Sequence, residues 1–165
     1  MLKVLFVCLG NICRSPMAEG IFNDLIEKNN LKHLITCDSA GTADYHIGEM
    51  PDERMCETAL KHHIQLNHRA RKITQADFDT FDYILAMDNS NYQYIKQMYQ
   101  RIKPKPKAQI ALMRSFEDPI LKQEVPDPYY GTMQDFENVF QILWNSNQHF
   151  LRYLAQKHNF TLLLP

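Results

Sequence analysis

Apolar positions along this chain follow two alternating rhythms. Short apolar runs give way to stretches in which apolar side chains recur every three or four positions. Leu2 with residues 4–7 reads as a buried strand. Pro16 to about Lys28 then carries Met17, Ile21, Leu25 and Ile26 near helical spacing. A second strand is expected over Leu34–Cys37, followed by the turn-rich segment Asp38-Ser39-Ala40-Gly41-Thr42 and a helix from Pro51 to about His63. Thr74-x-x-Asp77 has the spacing of a capping box and opens a short helix before Phe81. Tyr83–Met87 reads as a third strand, Ser90–Gln100 as a helix and Ile110–Met113 as a fourth strand. From Met133 to His158, Phe136, Val139, Phe140, Leu143, Phe150, Leu151 and Leu154 fall near one face of a long amphipathic helix.

Strands alternating with helices imply an α/β fold, a four-stranded parallel sheet with helices on both faces. No internal repeat or domain-sized linker interrupts the pattern. One domain is expected over 1–158, with 159–165 as a short C-terminal tail. The basic tract from Lys103 to Lys107 reads as a solvated connector. A chain of 165 residues with 45% apolar content has the means for a sizeable core.

Charge narrows the function classes. Eighteen basic against nineteen acidic residues give no general pull toward nucleic acid or a membrane surface. No apolar run approaches the roughly 18 residues a spanning helix requires, and the N-terminus lacks a signal-peptide pattern. Four cysteines without a framework spacing fit a reducing compartment, with the cytoplasm as the expected location.

Chemistry concentrates at the end of the first strand, in Val7-Cys8-Leu9-Gly10-Asn11-Ile12-Cys13-Arg14-Ser15-Pro16. A cysteine leaves the strand, and an arginine and a serine stand at the start of the following helix. Ser15 is a preferred N-cap, and Pro16 suits the first helical turn. Gly10 and Asn11 tolerate the positive φ that lets successive N–H groups converge. Converging N–H groups at a helix N-terminus bind anions, and the planar fork of Arg14 suits two phosphate oxygens. The same positive field favours a thiolate at Cys8. The loop therefore reads as a phosphate cradle over residues 9–15 with a nucleophile at its floor.

Cys8 and Cys13 have other uses. Either is a plain small core residue in many proteins, or a metal ligand. Cys37 and Cys56 stand isolated, however, and no histidine lies at zinc-finger spacing. The nucleotide-binding pattern G-x-x-x-x-G-K-[ST] is absent. Ester cleavage by a thiolate also needs an acid for the leaving oxygen. Asp127, held between Pro126 and Pro128, is one candidate, and Asp118 before Pro119 is another of similar local form. A phosphotyrosine-binding module or redox partner that kept the cradle is the non-enzymatic alternative, although binding alone needs neither nucleophile nor acid.

The chain resembles the low-molecular-weight protein tyrosine phosphatases. The resemblance rests on V-C-L-G-N-I-C-R-S-P at 7–16 and V-P-D-P-Y-Y-G at 125–131. D-S-A-G-T at 38–42, H-R-A-R at 68–71 and F-D-Y-I-L-A-M-D at 81–88 are weaker matches. It implies a flavodoxin-like domain and phosphotyrosine hydrolysis through a phosphocysteine on Cys8. Arg14 would hold the phosphate and Asp127 would be the general acid and base, with no metal or cofactor. It further implies Tyr45, Tyr129 and Tyr130 around the substrate, and Asn11, Ser15, Ser39 and His68 bracing the loop. Ordinary packing for Tyr45 and a plain surface histidine at 68 are the bland alternatives. Cys13 is either a disulfide partner protecting Cys8 or a space-filler. The expected partner is a phosphotyrosine-containing protein, the expected product inorganic phosphate and the expected state a monomer. Ile12 stands where protein-arginine phosphatases of this type carry a threonine, which favours tyrosine. Residues 81–91 lack the two further cysteines of related arsenate reductases.

Overall fold

The computed structural model describes residues 1–118, 120–121 and 123–163. Pro119 of the Asp118-Pro119 pair and the last two residues of the tail lie outside these. Four parallel strands, β1 (Leu2–Cys8), β2 (Ile35–Gly41), β3 (Tyr83–Ala86) and β4 (Gln109–Leu112), form one sheet in the order β2-β1-β3-β4. The central strand is the continuous apolar run of the sequence, as expected for a strand covered on both faces.

Alternation along β1 divides the core in two. Val4, Phe6 and Cys8 join the cluster built with helices α1 (Arg14–Lys28), α2 (Glu53–Lys61) and α5 (Met133–His158). Leu5 and Val7 point the other way, into the cluster with α3 (Asp77–Thr80) and α4 (Asn89–Arg101). On the first face Phe22 meets Phe6 edge-on at 5.5 Å and Phe150 at 5.6 Å, so α1 and α5 are locked to the sheet through one aromatic seam. A capping box opens α5: Thr132 N–H donates to Asp135 Oδ2 at 2.7 Å, and Asp135 N–H returns to Thr132 Oγ at 3.4 Å. Asn159 in the left-handed conformation ends it.

Four local expectations change. Asp38–Gly41 continues β2 instead of turning, because each residue pairs with Leu5–Cys8 of the central strand; tertiary pairing overrides local propensity. Helix α1 begins at Arg14, and no side chain caps it. Ser15 is therefore not an N-cap; its hydroxyl turns inward to the Cys8 sulfur. Asn11 adopts φ 58°, whereas Gly10 keeps an ordinary φ. A Cβ on Gly10 would come 3.1 Å from the His46 ring, so that glycine serves close packing. Finally, Asp77 accepts from the Thr74 N–H at 2.8 Å, but the single-turn helix α3 starts only at Asp77 itself, without a side-chain cap.

Candidate active site

The loop between β1 and α1 lies beyond the carboxyl ends of the strands, where open α/β sheets bind ligands. Two hydrogen bonds carry the β1–β2 ladder into it. Thr42 N–H donates to the Cys8 carbonyl at 2.9 Å, and Ala43 N–H to that of Leu9 at 3.0 Å. Gly41 allows this approach, since a Cβ there would lie 2.6 Å from the Leu9 oxygen. On the other side the Ile12 carbonyl accepts from Asp52 N–H at 2.8 Å.

Cys8 Sγ lies 3.0 Å from Ser15 Oγ, both buried. Behind them a polar network fixes the loop. Asn11 donates through Nδ2 to Ser15 Oγ at 2.7 Å and to Ser39 Oγ at 3.0 Å. Its Oδ1 meets His68 Nε2 at 2.7 Å and accepts from Arg71 N–H at 2.9 Å. Nearly every polar atom of this buried asparagine is thus used, and its left-handed backbone is held from all sides. His68 is no surface histidine, with only 9% of its side chain exposed. Ser39 in turn donates to Glu19 Oε1 at 2.6 Å. Burial pushes the Glu19 carboxyl up to about 7, with Asp38 adding to the effect and Ser39 and Arg71 opposing it. Burial likewise lowers His68, although the nearby Asp38 works against this. The 3.2 Å approach of His68 Nδ1 to Glu19 suggests an ion pair. Both shifts favour the neutral forms, and burial is the stronger influence. Glu19, Asp38 and His68 bring donor atoms within 4.8 Å of one another, but Arg71 already sets a positive charge 3.1 Å from Asp38.

Arg14 is almost fully buried. Its Nη1 donates to Asp88 Oδ2 at 2.7 Å and to the Val125 carbonyl at 3.1 Å, and its Nη2 stands 3.5 Å from Asp127 Oδ2. Burial works against its charge, yet Cys8, Asp88 and Asp127 together raise it above the usual range. A cleft of about 280 Å³ opens above this group. Its lining includes Cys8, Leu9, Gly10, Ile12, Cys13 and Arg14 from the loop, with Tyr45, Asp127, Tyr129 and Tyr130 around the mouth. Tyr129 and Tyr130 stack at 5.0 Å; Tyr45 and Tyr130 are largely exposed. Burial, helped by Asp52, Cys8 and Asp127, pushes the Cys13 thiol far up.

All the expected site residues thus come together, either in the cleft or in the bracing network behind it. Asp118 is not among the cleft residues, and its Oδ1 is engaged by Ile120 N–H at 3.0 Å. Sequence reasoning missed Asp88, His46 and Glu19. Asp88 had one legible signal: it follows a strand and precedes a helix, at the carboxyl edge of the sheet. The others carried none.

The family model for low molecular weight phosphotyrosine protein phosphatase matches residues 3–159. A low molecular weight phosphotyrosine protein phosphatase of Schizosaccharomyces pombe is 43% identical over 156 residues, covering 93% of this chain and 97% of the relative. Among solved structures, a protein tyrosine phosphatase from Entamoeba histolytica superposes with a TM-score of 0.88 at 39% identity, over 96% of this chain and 99% of that one. A Drosophila arginine phosphatase also superposes at 0.88, with 37% identity over 92% and 97% of the two chains. The fold and cradle are those of a phosphatase class built around a strand–loop–helix anion site. This chain belongs to the low molecular weight phosphotyrosine protein phosphatase family.

Proposed function

We propose that this protein hydrolyses phosphotyrosine in protein substrates, and small aryl phosphates, through a phosphocysteine on Cys8. The observation that carries this is the approach of Cys8, Arg14 and Asp127 to one cleft walled by tyrosines. The phosphate dianion docks on Arg14 and the loop N–H groups of residues 9–15. The Cys8 thiolate attacks phosphorus as the bond to the phenolic oxygen breaks, and Asp127 gives that oxygen its proton. Asp127, now a carboxylate, takes a proton from water. The water oxygen then displaces the sulfur, releasing inorganic phosphate and the thiolate. Ser15 donates to the sulfur and eases its departure. Charge neutralisation and positioning supply most of the acceleration. No step calls for a cofactor. A reducing compartment such as the cytoplasm suits a thiolate nucleophile, and we propose that the enzyme acts there as a monomer.

The similarity to an arginine phosphatase raises phosphoarginine as a second substrate. Ile12, which lines the cleft, offers no hydroxyl to a guanidinium nitrogen and favours the tyrosine ester. Cys13 lines the same cleft. When a peroxide has oxidised Cys8 to a sulfenic acid, the Cys13 sulfur displaces water to give a disulfide that thiols reduce.

The test is hydrolysis of a phosphotyrosine peptide in reductant and EDTA, beside phosphoarginine and the Cys8→Ser and Asp127→Ala variants. Turnover that survives EDTA and is lost in Cys8→Ser, with phosphate still bound, is expected. Asp127→Ala is expected to slow the peptide roughly 10²–10⁴-fold. Binding without turnover in the wild type would mark a recognition module, and preference for phosphoarginine would reverse the role given to Ile12.

A further inference from the structure

The segment carrying Asp127 has few anchors. Val125 N–H donates to the Met87 carbonyl at 2.8 Å, and the capping box at Thr132 begins α5. Between them, among the described residues, the hydrogen bonds of residues 126–131 stay inside the segment. Tyr129 N–H donates to Asp127 Oδ1 at 3.1 Å, and Gly131 N–H to the Pro128 carbonyl at 2.8 Å. Asp127 Oδ2 also lies 3.5 Å from Arg14 Nη2, a contact that ties the side chain but leaves the backbone of the segment in need of a further hold.

Arg54, in the first turn of α2, provides the grip. Its guanidinium carbon lies 5.5 Å from the Tyr129 ring centre and 4.6 Å from that of Phe136 in α5. Both distances are within the range of a cation–π contact. The guanidinium is held by Asp52 in a two-pronged pair, Nε to Oδ1 at 3.0 Å and Nη2 to Oδ2 at 2.9 Å. Asp52 is itself fixed, for it also caps α2 through the Arg54 N–H and donates its own N–H to Ile12 of the cradle. A continuous strut therefore runs from Ile12 through Asp52 and Arg54 to Tyr129, two residues beyond Asp127.

We infer that Arg54 is a positioning residue for the general acid: stacked against Tyr129, it sets Asp127 at a fixed height above the Cys8 loop. This rests on Asp127 acting as the acid. A lysine here would keep the charge but lose the planar face and the second prong. The acid matters only where the leaving oxygen needs a proton, so Arg54 should matter by the same rule. Cradle and fold, by contrast, serve every substrate alike.

The experiment measures kcat/KM, which reports phosphocysteine formation, for a phosphotyrosine peptide and for 2,4-dinitrophenyl phosphate, whose leaving group departs unprotonated. For Arg54→Lys and Arg54→Ala the expected loss is about tenfold or more on phosphotyrosine, within the span of a general acid, and about twofold or less on the dinitrophenyl ester. In an Asp127→Ala background, Arg54→Lys is expected to add nothing on phosphotyrosine. Equal losses on both substrates would overturn the inference, since Arg54 would then support the cradle or the fold; so would full additivity with Asp127→Ala. Failure of the wild type on both esters would instead remove the phosphatase reading on which the inference rests.

Discussion

Asp88 holds Arg14 with one carboxylate oxygen and caps a helix with the other. Oδ2 accepts from Arg14 Nη1 at 2.7 Å, while Oδ1 accepts from the Asn91 N–H at 2.8 Å at the start of α4. The Arg14 guanidinium is thereby referenced to the far side of the sheet, across β3. Charge and capping can be separated by substitution, because asparagine caps as well as aspartate does.

Asp88→Asn is accordingly expected to lower kcat/KM for phosphotyrosine about tenfold, the scale of a lost charge-assisted hydrogen bond, with thermal stability nearly unchanged. Asp88→Ala adds the loss of the cap, about 1 kcal/mol. Steady-state kinetics beside thermal melting separates the two; an Asn variant with wild-type kinetics would leave Asp88 as a cap alone.

Ser15→Ala leaves the Cys8 sulfur without its 3.0 Å hydroxyl partner. The effect belongs to the step in which sulfur departs from phosphorus. A fall in kcat of about tenfold, with a burst of released phenol in stopped-flow, is the expected signature. Loss without a burst would place the serine's effect on the first step.

Asn11 is where geometry and hydrogen bonding are most entangled. Asn11→Ala removes four hydrogen-bond contacts, two of them fully buried, and keeps a side chain at φ 58°. A destabilisation of about 3 kcal/mol or more is expected in urea unfolding. Asn11→Gly, free of the left-handed penalty, should recover about 1 kcal/mol of that. Equal values for the two would show the backbone conformation to be costless here.

Glu19 gives stability a pH dependence of unusual sign. Its folded carboxyl, pushed up to about 7, binds its proton more tightly than an unfolded glutamate near 4.5. Between those values the folded state holds the extra proton, so stability falls as pH rises. The loss is complete above about pH 7 and on the order of 3 kcal/mol. Glu19→Gln is expected to flatten this slope, read from urea unfolding at several pH values between 4.5 and 8. If wild type instead gains on the variant as pH rises, Glu19 is charged and paired with His68.

Strands β1 and β3 were legible because a parallel strand covered on both faces reads as a nearly continuous apolar run, and helix α5 because its apolar face recurs over 26 residues. The cradle was legible because Cys8, Arg14 and Ser15 fall within one short stretch of the chain, residues 8–15. Local rules misread Ser15 as a cap, since its hydroxyl turns back to Cys8 and Asn11 within the loop, and Asp38–Gly41 as a turn, since strand pairing is decided by distant neighbours. Arg54 and Glu19 were invisible for the same reason. Arg54 meets an aromatic ring 75 positions away, and a surface-looking charge in sequence carries no mark of what it will lie against.

The ladder that reaches past Cys8 into the cradle has one further meaning. Thr42 and Ala43 bind the carbonyls of Cys8 and Leu9 as though the loop were two more rungs of the sheet, and a bare Gly41 lets the backbones touch. The part of the molecule that must stay still for chemistry is thus made of the same fabric as the part that must stay folded. Such an enzyme has no gradual way to grow slack at its working end: on heating or in denaturant, its activity and its architecture are set to disappear together.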